Sequence, residues 1–462
     1  MKRLITFVAI IGLSVAVSVV CRAQTNVLVW HKDAGTVDAA VHHEAIMPLL
    51  KSIAGQTGWH VFVEPGSTVD ASTKFKNLPA GDALKMLLGD LNFALVPKND
   101  SPWELYVFHT TMKNATLSVS AKPKHVPNEL LVKVKPGTNI DALAKMLGAK
   151  VTGRNDKFGI YRLQFTDENS TDNALSQLQM DSDVQSVGYD NYFDPPPTPQ
   201  SVAGADVPSM PLTLSPPPAS GKVVIGLVDT AVDPQSLGQG ASQFVLPDVN
   251  VAGGTETDSG PTHGDAMASL MLEAMANTLQ GSQTSVQIQP YDVYESGEQT
   301  TSWDVAEGIT AAVNAGDNPI NLSLGSSDDS SVLDSVIAQA QQDGIVMFAA
   351  AGNTPTGEPY YPAADQGVNA VTALSQPGQL ASYANSWDDP DMMALPGTGV
   401  FGYDGQSWLV QGTSDSTAEA SAVYAANYAQ DEANNSTGAN RAQQISQAIL
   451  NAMEGKFPVP GK

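Results

Sequence analysis

Residues 222–462 alternate apolar runs of strand length with longer runs that have helical spacing. This alternation predicts a three-layer α/β domain, in which a parallel sheet is covered by helices on both faces. The strands are predicted at 223–229, 286–293, 320–324, 345–350 and 370–374. Ligands of such sheets bind beyond the carboxyl ends of the strands. We therefore expect Asp229 and the segments 323–325 and 352–353 at one edge of the sheet.

Three residue types needed for nucleophilic hydrolysis occupy the ends of predicted elements. Asp229 ends the first strand, His263 precedes an Ala/Met/Leu-rich helical run, and Ser414 opens an Ala-rich helical run. His263 is the only histidine beyond residue 200, so it is the only candidate imidazole base in this part of the chain. A serine hydroxyl is a weak nucleophile unless an adjacent base takes its proton. The sequence therefore predicts an active site built from these three residues.

Several spaced stretches carry a family resemblance: "VVIGLVDTAVD", "THGDAMA", "NPINLSLG", "GIVMFAAAGN", "YPAA", "MMALPG" and "QGTSDSTA". Over essentially the whole of residues 220–462 they resemble the subtilisin-like serine peptidases, whose Asp, His, Ser chain order they share. The resemblance implies a serine endopeptidase with Ser414 as nucleophile and His263 as general base. It implies that Asp229 orients the imidazole and that the Asn353 amide donates to the oxyanion. The substrate backbone is expected to bind along Ser323, Leu324, Gly325, Ala350, Ala351 and Gly352.

The chain departs from the family pattern beside two of these residues. Asp415-Ser416-Thr417-Ala418 stands where the family has Met-Ala-x-Pro, and Asp265-Ala266 replaces the usual Thr-His. Asp415 either raises the pKa of His263 or points away from it as a first-turn helix residue. Tyr360 aligns with the floor of the primary specificity pocket. A tyrosine there predicts a shallow pocket and a preference for small apolar side chains before the scissile bond.

Two small α+β domains are predicted before the catalytic domain. The proline stretches 195–197 and 216–218 mark a linker at 195–219, because polyproline is extended and resists packing. Residues 114–194 have a β-α-β-α-β order and resemble a subtilase propeptide, which implies an inhibitor of the chain's own peptidase domain. Residues 122–162 contain 9 Lys or Arg and 3 Asp or Glu. Complementary charge is therefore expected to favour docking onto the acidic catalytic domain.

Residues 24–113 form the other small domain. A helix followed by "QTGWHVFVEP" and "FKNLPAGDALKMLLGDLNFAL" resembles the short N-terminal domain of secretins and TonB-dependent receptors. The resemblance implies an interaction module and an envelope protein partner. His42-His43-Glu44 is interpreted as a solvated helix start rather than a metal site.

Residues 1–23 are predicted to be a secretory signal peptide, with a basic start, an apolar stretch and cleavage after Ala23. Cys21 is the only cysteine; lipid attachment there is the less favoured alternative, because the preceding Val20 is bulky. Cleavage after Ala23 would leave no thiol, which excludes disulfides and cysteine catalysis. The protein is therefore expected to be secreted or periplasmic.

Charge and composition exclude some partners. Residues 220–462 contain 4 Lys or Arg against 28 Asp or Glu, so nucleic acid is a poor partner for this domain. No cofactor is expected. Calcium is a common structural ion in the family, but the acidic turn at 388–391 lacks the spacing of a calcium loop and no metal site is assigned.

Three alternatives to an active peptidase remain open. The first is a pseudopeptidase that keeps the fold for binding, with Asp415 as the sign of lost activity. The second is an acid-active peptidase of the sedolisin type, although sedolisins use Glu and Asp where this chain has His263. The third is an envelope scaffold that acts mainly through its N-terminal module, with proteolysis secondary.

Overall fold

The structure is a computed structural model. It describes residues 26–31, 35–64, 67, 70–97, 103–115, 117–119, 125–194, 196–202, 214, 223–237, 240–254, 260–279, 284–295, 299–376 and 378–433. The predicted signal peptide, Cys21 and most of the predicted linker lie outside these residues. The chain divides into two compact units, Met1–Lys122 and Pro123–Lys462, which are described separately below.

In its described residues, the first unit contains two helices and two small sheets. Its strands are β1 (Val27–His31), β2 (Thr36–Ala45), β3 (His60–Val63), β4 (Asp70–Pro79), β5 (Asn92–Val96), β6 (Glu104–Phe108) and β7 (Leu117–Val119). Its helices are α1 (Ile46–Thr57) and α2 (Ala80–Leu88), and a 3-10 turn covers Met112–Asn114. The sheets have the orders β1-β2-β4 and β5-β6-β3-β7. The apolar faces of both helices, including Leu49 and Leu84, are buried in one core.

Two details of this unit differ from the sequence predictions. His42, His43 and Glu44 lie at the end of β2, so the prediction of a helix start there is wrong. The His43 Nδ1 lies 2.9 Å from Asp70 Oδ2 on the neighbouring strand β4, which accounts for this exposed histidine as one half of an ion pair. β7 pairs with β3, so the first unit extends beyond the predicted boundary at residue 113.

The second unit begins with a four-stranded antiparallel sheet and two helices, which we term the prodomain segment (residues 125–194). Its elements are β8 (His125–Val134), α3 (Ile140–Leu147), β9 (Lys150–Asn155), β10 (Ile160–Gln164), α4 (Glu168–Leu178) and β11 (Val184–Asn191). The sheet order is β11-β8-β10-β9. Alternate residues of the strands, among them Leu130, Val132 and Leu163, face the helices in a shared core. The short strand β12 (Gln200–Ser201) follows.

The remainder of the unit is the catalytic domain predicted from the sequence. Its strands are β13 (Val223–Asp229), β14 (Val249–Asn250), β15 (Val286–Asp292), β16 (Ile320–Leu322), β17 (Met347–Ala350), β18 (Asn369–Gln376), β19 (Gln379–Leu380), β20 (Met393–Pro396), β21 (Thr398–Tyr403) and β22 (Gln406–Gln411). Its helices are α5 (His263–Leu279), α6 (Ser302–Ala315), α7 (Ser331–Gln342) and α8 (Thr413–Ala433), with a 3-10 turn at Ala241–Gln243.

The central sheet has the order β14-β15-β13-β16-β17-β18-β19, with β20 also paired to β18. All pairs are parallel except β18 with β19. Ile225 and Leu227 of β13 pack with α5 and α8 on one face, whereas Val228 packs with α6 and α7 on the other. The predicted three-layer α/β fold is therefore confirmed.

Prodomain residues enter the core on the α6/α7 face. Leu131, Phe158, Ile160 and Phe193 belong to the same buried cluster as Val305 and Val336. The prodomain segment thus packs against the catalytic domain through apolar side chains.

Candidate active site

Asp229 and His263 form a buried pair at the carboxyl edge of the sheet. His263 Nδ1 lies 2.8 Å from Asp229 Oδ1, and each side chain is 1% exposed. Asp229 is the last residue of β13, and His263 is the first residue of α5. A carboxylate at Nδ1 fixes the ring orientation and leaves Nε2 as the nitrogen that can exchange a proton with a nucleophile.

The start of α5 is held against the end of β13 by short polar contacts. The Thr262 Oγ1 accepts from Asp265 N at 2.9 Å, and Asp265 Oδ2 accepts from Thr262 N at 2.9 Å. These reciprocal bonds form a capping box with Asp in the place of the usual Glu. Asp265 Oδ1 also accepts from Asp233 N at 2.7 Å. Asp265 therefore secures the loop that follows Asp229, which explains this departure from the family pattern.

Gly264 permits the close approach of α5 to the strand end. Its N–H donates to Thr230 Oγ1 at 2.7 Å. A Cβ atom at Gly264 would lie 2.2 Å from Thr230 O, which is impossible without moving backbone. Thr262 thus caps the helix that begins with His263, and the lack of a side chain at Gly264 lets this helix approach the strand end. Together they fix the position of the imidazole.

Ser414 lies in the first turn of α8, which packs against α5. Its Oγ donates to Ser323 O at 3.1 Å, and Ser323 Oγ donates to Ser414 O at 3.1 Å. His263 Nε2 is buried and has no hydrogen-bond partner among the described residues. The structure therefore joins Asp229 to His263 but does not form the Ser414–His263 bond. Catalytic hydrogen bonds are often long or misaligned without substrate.

A buried polar chain fixes the segment that carries Ser414. The Asn321 Nδ2 donates to Ser323 Oγ at 2.9 Å, and Ser421 Oγ donates to Asn321 Oδ1 at 3.0 Å. Asn321 and Ser421 are fully buried. These hydrogen bonds link the end of β16 with α8 at two points, so they fix the position of Ser414 relative to the Ser323 segment. Sequence reasoning missed Asn321 and Ser421, although polar residues within apolar runs are the signal that could have found them.

Asn353 lies beside the turn before Ser414. Its Oδ1 accepts from Thr413 N at 2.8 Å and from Thr413 Oγ1 at 3.2 Å. Because the carbonyl oxygen of the amide is used in this way, Nδ2 is the atom available to donate to another acceptor. Thr413 Oγ1 also accepts from Gly352 N at 3.1 Å. Thr413 therefore ties Asn353 and the predicted substrate segment to the start of α8, a role that sequence reasoning missed.

The electrostatic setting of His263 includes a second carboxylate. Burial opposes protonation of the ring, but the charge and hydrogen bond of Asp229, together with the charge of Asp415, outweigh it and raise the His263 pKa. Asp415 lies in the first turn of α8 and is 3% exposed. Burial raises the pKa of Asp415 to about 7, while His263 and the backbone N–H of Gly399 act in the opposite direction. Asp415 is thus a helix-start residue that also acts on the imidazole.

Tyr360 fills the space between the two predicted substrate segments. A Cβ atom at Gly325 would lie 2.2 Å from Tyr360 Cε1, and one at Gly352 would lie 3.0 Å from Tyr360 Cδ1. The ring therefore stands between Gly325 and Gly352. Its hydroxyl donates to Asp194 Oδ2, the last residue of the prodomain segment, at 2.7 Å. Of the other predicted substrate residues, Ser323, Leu324, Ala350 and Ala351 are buried.

The chain that leaves the prodomain segment runs across this site. Phe193 N donates to Thr300 O at 3.1 Å, and Asp194 N donates to Gly325 O at 3.0 Å. Further along, β12 pairs antiparallel with β22, the strand that ends three residues before Ser414. The chain thus contacts a predicted substrate segment at Gly325 and pairs with β22 as a short added strand, a mode by which peptides bind to sheet edges.

Few of the polar contacts between the prodomain segment and the catalytic domain involve charged side chains. Lys133 Nζ donates to Ser335 O at 3.1 Å, and Lys157 Nζ donates to Asn314 Oδ1. Arg162 pairs within the prodomain segment, with its Nε 3.8 Å from Glu129 Oε2. Across the described part of this interface, no Lys or Arg forms an ion pair with a carboxylate of the catalytic domain. The contacts therefore do not show the ion pairing that the charge counts suggested.

One group of carboxylates could hold a metal ion. Ligand oxygens of Asp329, Asp334 and Asp365 lie within 4.8 Å of one another. Burial, with repulsion from neighbouring aspartates, raises the pKa of Asp334 to about 7 and that of Asp365 to about 8. In the acidic turn considered from the sequence, Asp389 Oδ1 instead accepts from Asp391 N at 2.9 Å and so stabilises the turn itself.

The sheet, the buried acid–imidazole pair and a serine at the start of the adjacent helix define the architecture of a serine peptidase of the three-layer α/β class. Residues 220–459 match the "Subtilase family" profile, and residues 111–188 match the "Fervidolysin N-terminal prodomain" profile. The chain belongs to the subtilase family.

Named relatives agree with this assignment. A thermostable alkaline protease of Halalkalibacterium halodurans is 33% identical over 206 residues, which are 41% of this chain and 56% of the relative. The chain thus spans about half the length of that curated relative. Fervidolysin of Fervidobacterium pennivorans, a keratinolytic enzyme related to subtilisin, has a TM-score of 0.52 at 16% identity, covering 68% of this chain and 56% of its own.

A second solved structure with the same fold is the epidermin leader peptide processing serine protease of Staphylococcus aureus. It has a TM-score of 0.51 at 15% identity, and the match covers 70% of this chain and 92% of that chain. In the part of the chain that the structure describes, none of the helices is long and apolar enough to cross a membrane.

Proposed function

We propose that this chain is a serine endopeptidase that hydrolyses peptide bonds through Asp229, His263 and Ser414. The observation that carries the proposal is the buried 2.8 Å contact between His263 Nδ1 and Asp229 Oδ1. A lone buried imidazole paired in this way is suited to accept a proton at Nε2, because the carboxylate stabilises the cation that forms. The proposed chemistry needs no metal or cofactor, since base, nucleophile and oxyanion donor are all side chains or backbone.

In the proposed reaction, Ser414 Oγ attacks the substrate carbonyl carbon while His263 Nε2 takes its proton. The tetrahedral oxyanion is stabilised by Asn353 Nδ2 and by the backbone N–H of Ser414 at the helix start. The proton then passes from His263 to the leaving amine, the C–N bond breaks, and an acyl-enzyme remains. Water, deprotonated by His263, attacks the ester and restores the Ser414 hydroxyl. Loss of the Asn353 amide should lower turnover about 10²–10³-fold.

One local change is required before the first step. Ser414 Oγ must leave Ser323 O, to which it donates at 3.1 Å, and turn to His263 Nε2. The Ser323 carbonyl is in the segment expected to bind substrate backbone. Entry of a substrate strand along this segment would therefore coincide with the rearrangement that activates the nucleophile.

The prodomain segment is proposed to inhibit the peptidase in the intact precursor. Support comes from two anchors of the chain that leaves the prodomain segment: the backbone hydrogen bond of Asp194 to Gly325, a predicted substrate residue, and the pairing of β12 with β22. Residues 195–197 and 199, between the two anchors, are prolines. Proline lacks the N–H that a bound strand would donate and fixes φ, so this stretch is a poor substrate in place. Maturation would require cleavage in the linker.

The substrate preference is proposed to be for small side chains before the scissile bond. The Tyr360 ring between Gly325 and Gly352 supports this, because it takes up volume that a large substrate side chain would need. Faster cleavage after Phe or Lys than after Ala would contradict the proposal.

Residues 1–23 are proposed to direct the protein out of the cytoplasm by a signal peptide cleaved after Ala23. The first unit is proposed to act as a secretin-like interaction module for an envelope protein. Support comes from the sequence pattern and from the compact two-sheet fold of the unit. Loss of a binding partner on deletion of residues 24–122, with unchanged cleavage of a short peptide, is the expected result.

Expression of the wild-type chain beside Ser414→Ala tests the main proposal. Self-processing in the wild type alone, with N-terminal sequencing of the product, would establish activity and locate the cut. Labelling by a fluorophosphonate probe should depend on Ser414. A folded wild type that neither processes nor labels would favour the pseudopeptidase, and a pH optimum far below neutrality would favour sedolisin-like chemistry.

A further inference from the structure

A pocket of about 240 Å³ opens between α5, α8 and β21, on the face of the domain opposite the prodomain segment. Three carboxylates line it: Glu273 on α5, and Asp415 and Glu419 on α8. Their exposure falls inwards, since Glu273 is exposed, Glu419 is half-buried and Asp415 is 3% exposed. The side chains of Leu270 and Val400 provide apolar wall. The pocket is therefore acidic along its depth and apolar at its sides.

The described residues that line this pocket include no counter-charge for its carboxylates. Both side-chain oxygens of Asp415 are buried, and no described group makes a hydrogen bond of 3.5 Å or less to either, although the nearby Gly399 N–H lowers the Asp415 pKa. The chain has no Lys or Arg from residue 223 to residue 440, so His263, whose charge acts on Asp415, is the one cationic group that the described part of the domain offers to these carboxylates. Burial, followed by repulsion from Glu273 and Asp415, raises the pKa of Glu419 to about 8. Buried carboxylates are ordinarily paired, so this arrangement is incomplete without a ligand or bound protons.

The size and the walls of the pocket limit which classes of ligand can bind in it. One water molecule takes up about 30 Å³ of liquid volume, so the pocket is several times larger than a bare metal ion needs. Among the described residues, the group of three carboxylates whose oxygens all lie within 4.8 Å of one another is that of Asp329, Asp334 and Asp365, and the three carboxylates of this pocket do not form such a group. Pockets for whole drug-sized ligands are larger, about 300–1,000 Å³. An aliphatic stem that ends in a cation fits this pocket, because the stem can lie against the apolar walls while the cation contacts the carboxylates.

We propose that this pocket binds an alkylammonium or alkylguanidinium group, with the stem against Leu270 and Val400 and the cation between Asp415 and Glu419. Such a group is present in a Lys or Arg side chain of a bound protein and in a free polyamine. Asp415 follows Ser414 in the sequence, and its charge acts on His263. A cation bound to Asp415 would therefore lower the proton affinity of His263.

Isothermal titration of the full-length Ser414→Ala chain tests the proposal without relying on catalysis. Butylammonium and butylguanidinium are the probes, with butanol as the neutral control and with NaCl and CaCl₂ at matched ionic strength. Saturable one-site binding of both organic cations is expected. The Glu419→Gln substitution should weaken it about tenfold or more, because a charge-assisted hydrogen bond is lost. The Glu358→Gln substitution, at an exposed loop of the same domain, should change it less than twofold.

Dependence on pH separates this site from general surface attraction. Asp415 and Glu419 must be ionised to bind the cation, so affinity should rise between about pH 6 and pH 9, with proton release on binding. Exposed carboxylates are already ionised in this range and would give a flat profile. Glu419→Gln keeps the size of a half-buried side chain and removes its charge, so the variant should remain folded. Equal binding by Glu419→Gln, no saturable binding, or equal displacement by Na⁺ or Ca²⁺ would overturn the proposal.

A further arm distinguishes the two sources of the ligand. A short peptide with one internal Lys is compared with its Gln counterpart and with free spermidine. Tighter binding of the Lys peptide than of butylammonium would assign the pocket to a protein side chain. Tighter binding of spermidine, with no difference between the peptides, would assign it to free polyamines. Failure of these arms would leave the peptidase proposal untouched, because none of them measures cleavage.

Discussion

His263 lies between two carboxylates that act on it in different ways. Asp229 holds Nδ1 at 2.8 Å, whereas Asp415 makes no hydrogen bond to the ring and acts through its charge. Both raise the His263 pKa against the opposing effect of burial. A base with a raised pKa is protonated, and therefore inactive, over a wider acidic range. Asp415, which stands after Ser414 where the family has Met, is therefore expected to shift the pH range of the proposed activity.

Asp415→Asn should move the acid limb of the kcat/KM profile to lower pH. Removing a negative charge removes one cause of the raised His263 pKa, so the neutral ring is populated at lower pH. The measurement is the pH dependence of kcat/KM on a short chromogenic peptide. Asp404→Asn, at an exposed turn, is the control and should leave the limb in place. A limb that stays fixed in Asp415→Asn, or moves to higher pH, would contradict the assignment.

Tyr360→Gly should broaden the substrate preference. Removing the ring between Gly325 and Gly352 opens space for a larger side chain, and one methylene in an apolar pocket is worth about 10–200-fold in kcat/KM. The ratio of kcat/KM for Phe against Ala before the scissile bond should rise about tenfold or more. Tyr360→Phe keeps the ring and loses only the bond to Asp194, so its ratio should match the wild type. An unchanged ratio in Tyr360→Gly would place the specificity pocket elsewhere.

At the level of single residues, the sequence predicts the parts of the site better than their arrangement. Asp229 and His263 meet as expected because one ends a strand and the other begins the helix on the adjacent layer. The direction of the Ser414 hydroxyl could not be predicted, because it depends on whether Ser323 O or His263 Nε2 is the nearer acceptor. The burial of Asp415 likewise depends on packing between α5 and α8, two elements far apart in the sequence.

At the level of elements, β9 of the prodomain segment packs directly against the start of α6 in the catalytic domain. A Cβ atom at Gly153 of β9 would lie 2.5 Å from Trp303 Cζ2 at the start of α6. Arg162 of β10 stacks over the same indole, with its Cζ 5.4 Å from the ring centroid. The Trp303 ring therefore lies between the backbone of Gly153 and the guanidinium of Arg162, and these two contacts restrict its movement.

Gly153→Val should weaken prodomain docking and speed the appearance of peptidase activity after the linker is cut. The added side chain overlaps the Trp303 ring, so the two elements must separate. Residual inhibition of the cleaved chain, measured with a short peptide, should fall about tenfold or more, while the limiting kcat stays the same. Lys145→Ala on the exposed face of α3 is the matched control. Unchanged inhibition in Gly153→Val would show that β9 does not contribute to docking.

The strength of the local apolar pattern decides which elements the sequence can predict. The strand β13 is found at the predicted residues, because it has a strong apolar pattern and a clear end at Asp229. β9, Lys150–Asn155, was not predicted: its sequence KVTGRN has one large apolar residue and a glycine. It is a strand because it pairs with β10 and packs on Trp303, and both contacts are tertiary. The first strands of the molecule, β1 and β2, were missed as well.

At the level of the whole second unit, the interface between prodomain segment and catalytic domain buries carboxylates with little compensation. Asp190 of β11 is fully buried, and its Oδ1 accepts from Trp303 N at 2.9 Å. Burial raises its pKa to about 8, with the Trp303 N–H opposing and the charges of Asp304 and Glu129 adding. Burial likewise raises the pKa values of Glu129, Asp304 and Glu307. Arg162 is the one cation that acts on all four of these described groups.

Docking should therefore weaken as pH rises. An acid whose pKa is raised on burial binds a proton in the docked state, so its contribution is fully present below the ordinary pKa near 3.8 and is lost progressively up to about 8 for Asp190. The expected result is that the cleaved prodomain inhibits strongly at pH 5 and weakly at pH 9, with up to about tenfold change per pH unit from each group. Asp190→Asn keeps an acceptor for Trp303 N and removes the titration, so its profile should be flatter. Because no ion pair crosses the described interface, salt should change the inhibition much less than pH does. Inhibition that strengthens towards pH 9, or an unaltered profile in Asp190→Asn, would show that these carboxylates do not control release.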